Sequence, residues 1–191
     1  MARFARRAPV SLLQMDQNMR VFAIAFAFAI SVLALPCGGA LADASGDATA
    51  VKESNGEYYD KAGTPTFKVA PDGTVDWYTF SGYLRYSSNC IVCHGPDGLG
   101  SSYAPNLTNS LKTIDYGTFI TTLALGRKNV SASTDFVMPA FGENKNVSCY
   151  IDDLYIYLRA RTDGAVGRGR PQQHDPKPAA WAKAQDNCMG P

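Results

Sequence analysis

Cys90-Ile91-Val92-Cys93-His94 is the stretch whose reading decides the fold. Two thiols three residues apart, with a histidine directly after the second, form the attachment signature of a c-type haem. The spacing has a chemical reason. Each thiol adds across one of the two vinyl groups on one side of the porphyrin, which fixes how far apart the sulfurs sit. His94 is then carried under the ring, where its imidazole can bind iron from the proximal side. A zinc corner is the competing reading. It needs a fourth ligand at finger-like spacing, and the sequence holds no second Cys-x-x-Cys and no His-x-x-x-His.

Just beyond the motif, Gly95-Pro96-Asp97-Gly98-Leu99-Gly100 forms a glycine-rich loop. No strand precedes it and no Lys-Ser/Thr closes it, so it is not a phosphate cradle. Its glycines let backbone pass close to a porphyrin. Pro105 follows, and its neighbourhood offers a carbonyl without a competing N–H. Such a carbonyl can accept the proton on the far nitrogen of His94, fixing the ring and raising its basicity.

Helical periodicity surrounds the motif. Residues 76–88 place Phe80, Tyr83 and Leu84 on one face, and Gly82 in mid-helix marks a close helix crossing, since glycine there costs about 1 kcal/mol against alanine. Residues 116–125 turn Phe119, Ile120 and Leu123 inward, with Gly126 suited to the C′ position and Arg127-Lys128 to the negative end of the helix. Residues 146–161 carry a stripe of Ile151, Leu154, Tyr155 and Leu158, and Gly164 stops them. Alternation around Pro71-Asp72-Gly73 (Phe67 and Val69, then Val75 and Trp77) predicts a short hairpin lying against the helical domain. Residues 43–57 read as a flexible polar lead-in, and residues 163–191 as an irregular Gly/Pro-rich tail.

The other side of the iron decides what the haem can do. A strong second ligand restricts it to passing electrons, whereas an open site binds oxygen, peroxide or nitrogen oxides. Met138 lies 44 residues beyond His94 in a loop stiffened by Pro139 and flanked by Val137 and Phe141, which suits a buried thioether presented to iron. Met189, His174 and an open site are the alternatives.

The N-terminus carries an export signal. Arg3, Arg6, Arg7 and Arg20 make a basic start, Val21 to Leu35 is an apolar run of 15 residues, and Ala40-Leu41-Ala42 supplies a cleavage signature. The run is short for a spanning helix, which needs about 20 residues, so residues 1–42 read as a signal peptide with no stable membrane insertion after cleavage. Without them 14 basic and 16 acidic side chains remain, a net charge of about −2, and no basic block suggests nucleic-acid binding. In an oxidising periplasm, Cys149 and Cys188 are expected to pair. They lie 39 residues apart, a loop for which chain entropy gives about 4 kcal/mol; two separate buried thiols are the alternative.

The order Gly82, Tyr86, Cys90-x-x-Cys93-His94, Pro105-Asn106-Leu107, Met138-Pro139 and Asp153-Leu154-x-x-Tyr157-Leu158 resembles class I cytochromes c over residues 76–162. That resemblance implies an all-α fold, with N- and C-terminal helices crossing at Gly82 around one covalent haem c and His/Met iron. To it we add the N-terminal hairpin extension (43–75) and the tail (163–191).

A narrower likeness rests on residues 95–107, 126–130 (Gly-Arg-Lys-Asn-Val), 138–144 (Met-Pro-Ala-Phe-Gly-Glu-Asn) and 149–155 (Cys-Tyr-Ile-Asp-Asp-Leu-Tyr), together with the four mature cysteines. These are similar to the methanol-metabolism-related cytochromes c. The likeness implies a carrier that accepts electrons from a PQQ-dependent, lanthanide-type methanol dehydrogenase.

The expectation is therefore a monomeric periplasmic electron-transfer protein and not an enzyme, passing electrons to a downstream cytochrome or oxidase. Cys90 and Cys93 anchor the haem, His94 and Met138 bind iron, and Pro105 orients His94. A general shuttle for other quinoproteins, or a haem enzyme or gas sensor with an open site, remains the alternative. Arg127, Lys128 and Lys145, opposed by Asp97 and Glu143, are either docking charges or plain solvated loop charge.

Overall fold

Helix α1 (Trp77–Asn89) of the computed structural model, which describes residues 43–130 and 135–190, starts where the Asp76 carboxylate accepts the Thr79 N–H at 2.8 Å. The signal peptide expected at 1–42 lies outside the described residues. Among the described residues six further α-helices follow: α2 (Ile91–His94), α3 (Leu107–Ser110), α4 (Tyr116–Leu125), α5 (Lys145–Ser148), α6 (Ile151–Thr162) and α7 (Ala179–Met189). Asp115 caps α4 through the Thr118 N–H, and Gly126, at φ +72°, ends it. The helix expected over 146–161 is broken in two, because Tyr150 sits at φ −135° between α5 and α6.

Helices α1 and α6 cross at Gly82. A Cβ at that position would fall 1.9 Å from the Asp153 backbone oxygen and 2.6 Å from the Tyr157 Cβ, so only glycine permits the approach. On one side of the crossing lies a core of Tyr86, Leu111, Phe119, Leu123, Val147, Leu154, Tyr155, Tyr157 and Leu158. Two smaller clusters fill the other side, one around Val75, Phe80, Ala160 and Val166, the other around Tyr78, Tyr150, Ile156 and Trp181.

The N-terminal segment departs from expectation. Instead of a lead-in followed by one hairpin, residues 52–66 form an antiparallel sheet of β1 (Lys52–Ser54), β2 (Glu57–Tyr59) and β3 (Pro65–Thr66), in the order β1-β2-β3. The turn is Asn55-Gly56, both at positive φ (57° and 85°), which is the type I′ geometry that suits the right-handed twist of paired strands. The hairpin expected around Pro71-Asp72-Gly73 is reduced to a single bridge between Val69 and Val75. Arg159 of α6, fully buried, holds this segment down. Its guanidinium donates to the Asp60 carboxylate at 2.8 Å, the Ser45 carbonyl at 2.6 Å and the Pro65 carbonyl at 3.1 Å.

The tail is irregular as expected up to Pro178, but it ends in the helix α7. The Val75 N–H donates to Gln173 and the Asp175 N–H to the Val75 carbonyl (3.1 and 2.9 Å), so the tail runs beside residue 75 before α7 begins. Cys149 and Cys188 are disulfide-bonded, with Cα atoms 5.8 Å apart, and Trp181 of α7 donates its indole N–H to Asp153 at 2.9 Å. Among the described residues, no helix is long and apolar enough to cross a membrane.

Candidate haem-binding site

Cys90 stands at the joint between α1 and α2, at φ −112° and ψ −27°, with its N–H still bonded to the Tyr86 carbonyl. It is half-buried, Cys93 is exposed and His94 is buried. Gly95 then turns the chain out at φ +70°, and the Tyr86 hydroxyl donates to its carbonyl at 2.5 Å. The loop folds back at once: the Gly100 N–H donates to the His94 carbonyl at 2.8 Å, and a Cβ on Gly95 would meet the Gly100 oxygen at 2.3 Å. From there the chain reaches Pro105, whose carbonyl oxygen lies 3.0 Å from His94 Nδ1. A carbonyl can only accept, so Nδ1 carries the hydrogen and Nε2 keeps its lone pair for a metal.

Met138 ends a strand and not a loop, contrary to the sequence expectation. β4 (Arg127–Val130) and β5 (Asp135–Met138) form an antiparallel hairpin with Arg127 opposite Met138. Three contacts fix the methionine's backbone against α4. Gly126 lies so close that a Cβ there would meet the Met138 oxygen at 2.5 Å, while the N–H groups of Phe141 and Gly142 cap the α4 carbonyls of Leu123 and Ala124 at 2.8 and 3.2 Å. The Met138 side chain packs on the same core cluster as Cys90, Leu107 and Tyr83.

The two rival ligands lie elsewhere. His174 stacks on Phe80 with ring centroids 3.8 Å apart and meets the Trp77 edge, and Met189 packs with the Trp181 cluster. Among the charges weighed for docking, Arg127, Lys128 and Glu143 are exposed. Asp97 is not free for that role: it is buried and paired with Arg168. Lys145 is exposed, but its ammonium donates to the Met189 carbonyl at 2.9 Å.

These residues fit a covalent haem. Of the eight large apolar side chains left exposed among the described residues, seven (Ile91, Val92, Leu99, Tyr103, Leu125, Phe136, Val137) belong to the segment from the Cys-x-x-Cys-His motif to Met138, where a porphyrin would need an apolar seat. Burial, reinforced by neighbouring Cys93, pushes the Cys90 thiol up to about 11. No group of three His, Cys, Asp or Glu side chains able to hold a metal ion occurs among the described residues.

Sequence reasoning did not find the loop contacts made by Asp97, nor the Arg159 staple. The Asn55-Gly56 turn was a signal it could have used.

No family model matches the chain. It is 50% identical over 143 residues, 75% of its own length, to cytochrome c-553I of Paracoccus denitrificans, and the match spans 63% of that relative, less than two thirds. It is 41% identical over 96 residues to cytochrome c-555 of Methylococcus capsulatus, covering 50% of this chain and 72% of the relative. The crystal structure of the c-type cytochrome XoxG from Methylobacterium extorquens AM1 superposes with a TM-score of 0.69 at 53% identity, over 74% of this chain and 86% of that one. With a class I arrangement of helices and a thiol-thiol-histidine motif of this kind, the chain belongs to the c-type cytochromes, electron-transfer proteins that carry covalently bound haem c.

Proposed function

We propose that the protein is a monomeric, periplasmic, mono-haem carrier whose electron donor is a PQQ-dependent methanol dehydrogenase of the lanthanide type and whose acceptor is a downstream cytochrome or oxidase. Cys90 and Cys93 would attach the haem, His94 and Met138 would bind its iron, and the Pro105 carbonyl orients His94. Haem iron supplies a one-electron ferric/ferrous couple, and a methionine ligand raises the potential relative to two histidines. The protein's part is to hold His94 in one tautomer and to offer the Met138 thioether from the same core cluster as Cys90.

One observation carries this reading. Met138 shares the core cluster of Cys90, while Met189 and His174 belong to other clusters. The likeness to XoxG and to cytochrome c-553I supports the choice of donor.

The test has two arms. The ferric protein is expected to show the near-infrared thioether-to-iron band, and Met138→Ala to abolish it. Rapid carbon monoxide binding by the wild-type ferrous protein, with no such band, would sink the carrier assignment in favour of an open site. In stopped-flow mixing with reduced quinoprotein dehydrogenases, a lanthanide-type methanol dehydrogenase is expected to reduce the haem fastest. Faster reduction by another quinoprotein makes the chain a general shuttle.

A further inference from the structure

Asp97 sits in the loop that links His94 to Pro105, and its surroundings are unusual for a loop acid. It is 9% exposed, and it occupies the left-handed region at φ +62°, which among non-glycine residues mainly Asn and Asp adopt. Its contacts reach about seventy residues along the chain. One carboxylate oxygen accepts the Gly169 N–H at 2.8 Å and the other the Arg168 Nε–H at 3.0 Å. The Asp97 backbone carbonyl accepts from Arg161 Nε at 3.3 Å, and the same guanidinium donates to the Val166 carbonyl at 2.5 Å. Burial raises the Asp97 carboxyl, but the Gly169 N–H and Arg168 outweigh it and hold the group below the usual carboxylate range. The residues it holds are anchored in turn. Val166 is buried in the core, and the chain beyond runs along Val75 to α7 and the Cys149–Cys188 disulfide.

We propose that the Asp97–Arg168 pair braces the loop of residues 95–105 and thereby positions the Pro105 carbonyl against His94, so that the C-terminal tail helps to set the potential of the iron. The inference rests on the reading of His94 as the proximal ligand. Its physical basis is short. The stronger the hydrogen bond from Nδ1, the more basic Nε2 becomes and the more the ferric state is favoured. Without the brace, the loop of residues 95–105 keeps the Gly100–His94 hydrogen bond, the Ser101 bonds to Ala104 and Cys93 and the Arg161 bond to the Asp97 carbonyl, but loses its side-chain tie to the tail. The Pro105 end gains freedom and the bond weakens. Asp97 and Arg168 are positioning residues, since neither touches His94 in the hydrogen-bond network.

The experiment uses the haem-loaded protein and the variants Arg168→Ala and Asp97→Asn. Arg168 lies on the surface with its side chain 71% exposed, so its loss leaves the core intact and its direct field at the iron is screened. Asparagine tolerates the left-handed backbone at position 97. Two quantities are read: the reduction potential, and the exchange of the His94 Nδ1 proton with solvent in the ferrous state by NMR. Both variants are expected to raise the potential and to speed proton exchange several-fold.

The sign at Arg168 separates bracing from simple charge. Removing a cation lowers a potential through space, whereas loosening the loop raises it. A potential in Arg168→Ala that is unchanged or lowered, with exchange at the wild-type rate, overturns the brace even if Asp97→Asn shifts upward by charge. If the wild-type His94 ring protons lack the large shifts of an iron-bound imidazole, the ligand assignment itself fails and the brace falls with it. Shifted ring protons beside an unmoved Arg168→Ala defeat the brace alone.

Discussion

The two sides of the α1–α6 crossing are held together by different physics. On the haem side, the cluster from Tyr86 to Leu158 is mostly aliphatic and aromatic, and its contacts tolerate small exchanges of shape. On the far side, small apolar clusters are supplemented by a buried ion pair (Arg159–Asp60), a buried indole-to-carboxylate hydrogen bond (Trp181–Asp153) and a disulfide (Cys149–Cys188). The wrapped segments, residues 43–75 and 163–190, are held both by burial of Val75, Val166 and Trp181 and by these directed contacts. Sites of the first kind fail by losing volume, and sites of the second by leaving one polar partner stranded.

The crossing itself gives the largest expected effect. Gly82→Val would drive side-chain atoms into the Asp153 backbone, so a loss above about 4 kcal/mol is expected, with little folded, haem-loaded protein recovered on expression. A soluble, haem-loaded Gly82→Val would show that the two sides are not joined at that contact.

Next comes the buried pair. Arg159→Met leaves Asp60 buried without its cation and should cost about 3–5 kcal/mol in urea unfolding, while the haem absorption bands stay as in the wild type. The double variant Arg159→Met/Asp60→Leu should recover most of the loss. Equal damage in both variants would mean that Arg159 matters for its carbonyl contacts rather than for the ion pair.

The smallest effect is a dependence on pH. Burial raises the Asp153 carboxyl to about 7, against the hydrogen bonds from Ser81 and Trp181 that lower it. Its unfolded value is about 3.9, so between these limits the folded protein keeps a proton that the unfolded chain gives up. The stabilisation it contributes is whole below about pH 4 and is lost as the pH rises towards 7. Urea midpoints for the wild type and Asp153→Asn, taken across that window, should converge on a flatter profile in the variant. A wild-type profile no steeper than that of Asp153→Asn would remove Asp153 from the set of far-side staples.

Much of the haem side was legible in the sequence. Residues 76–88 and 116–125 gave helix limits within a residue of Trp77–Asn89 and Tyr116–Leu125, because Asp76, Asp115 and Gly126 are local signals that act within one turn. The close contact at Gly82 followed from the cost of glycine in mid-helix. Met138 could be singled out, but not the hairpin that carries it, since Arg127–Val130 lacks an alternating apolar pattern. The far side was read poorly. Asn55-Gly56 was passed over as part of a polar lead-in, and the helix Ala179–Met189 was hidden in a segment whose first half is rich in glycine and proline.

By itself the sequence set out the candidate attachment motif, two thiols and an imidazole at fixed spacing, together with a short list of possible second ligands. Those are covalent and local constraints, written in neighbouring residues. Only the tertiary structure decided that Met138 shares a core with Cys90, that Cys149 meets Cys188, and that Asp97 and Arg159 are partnered rather than solvated. Each of those outcomes joins residues tens of positions apart, or buries a charge that a composition rule assigns to water, and burial is a property of the whole fold.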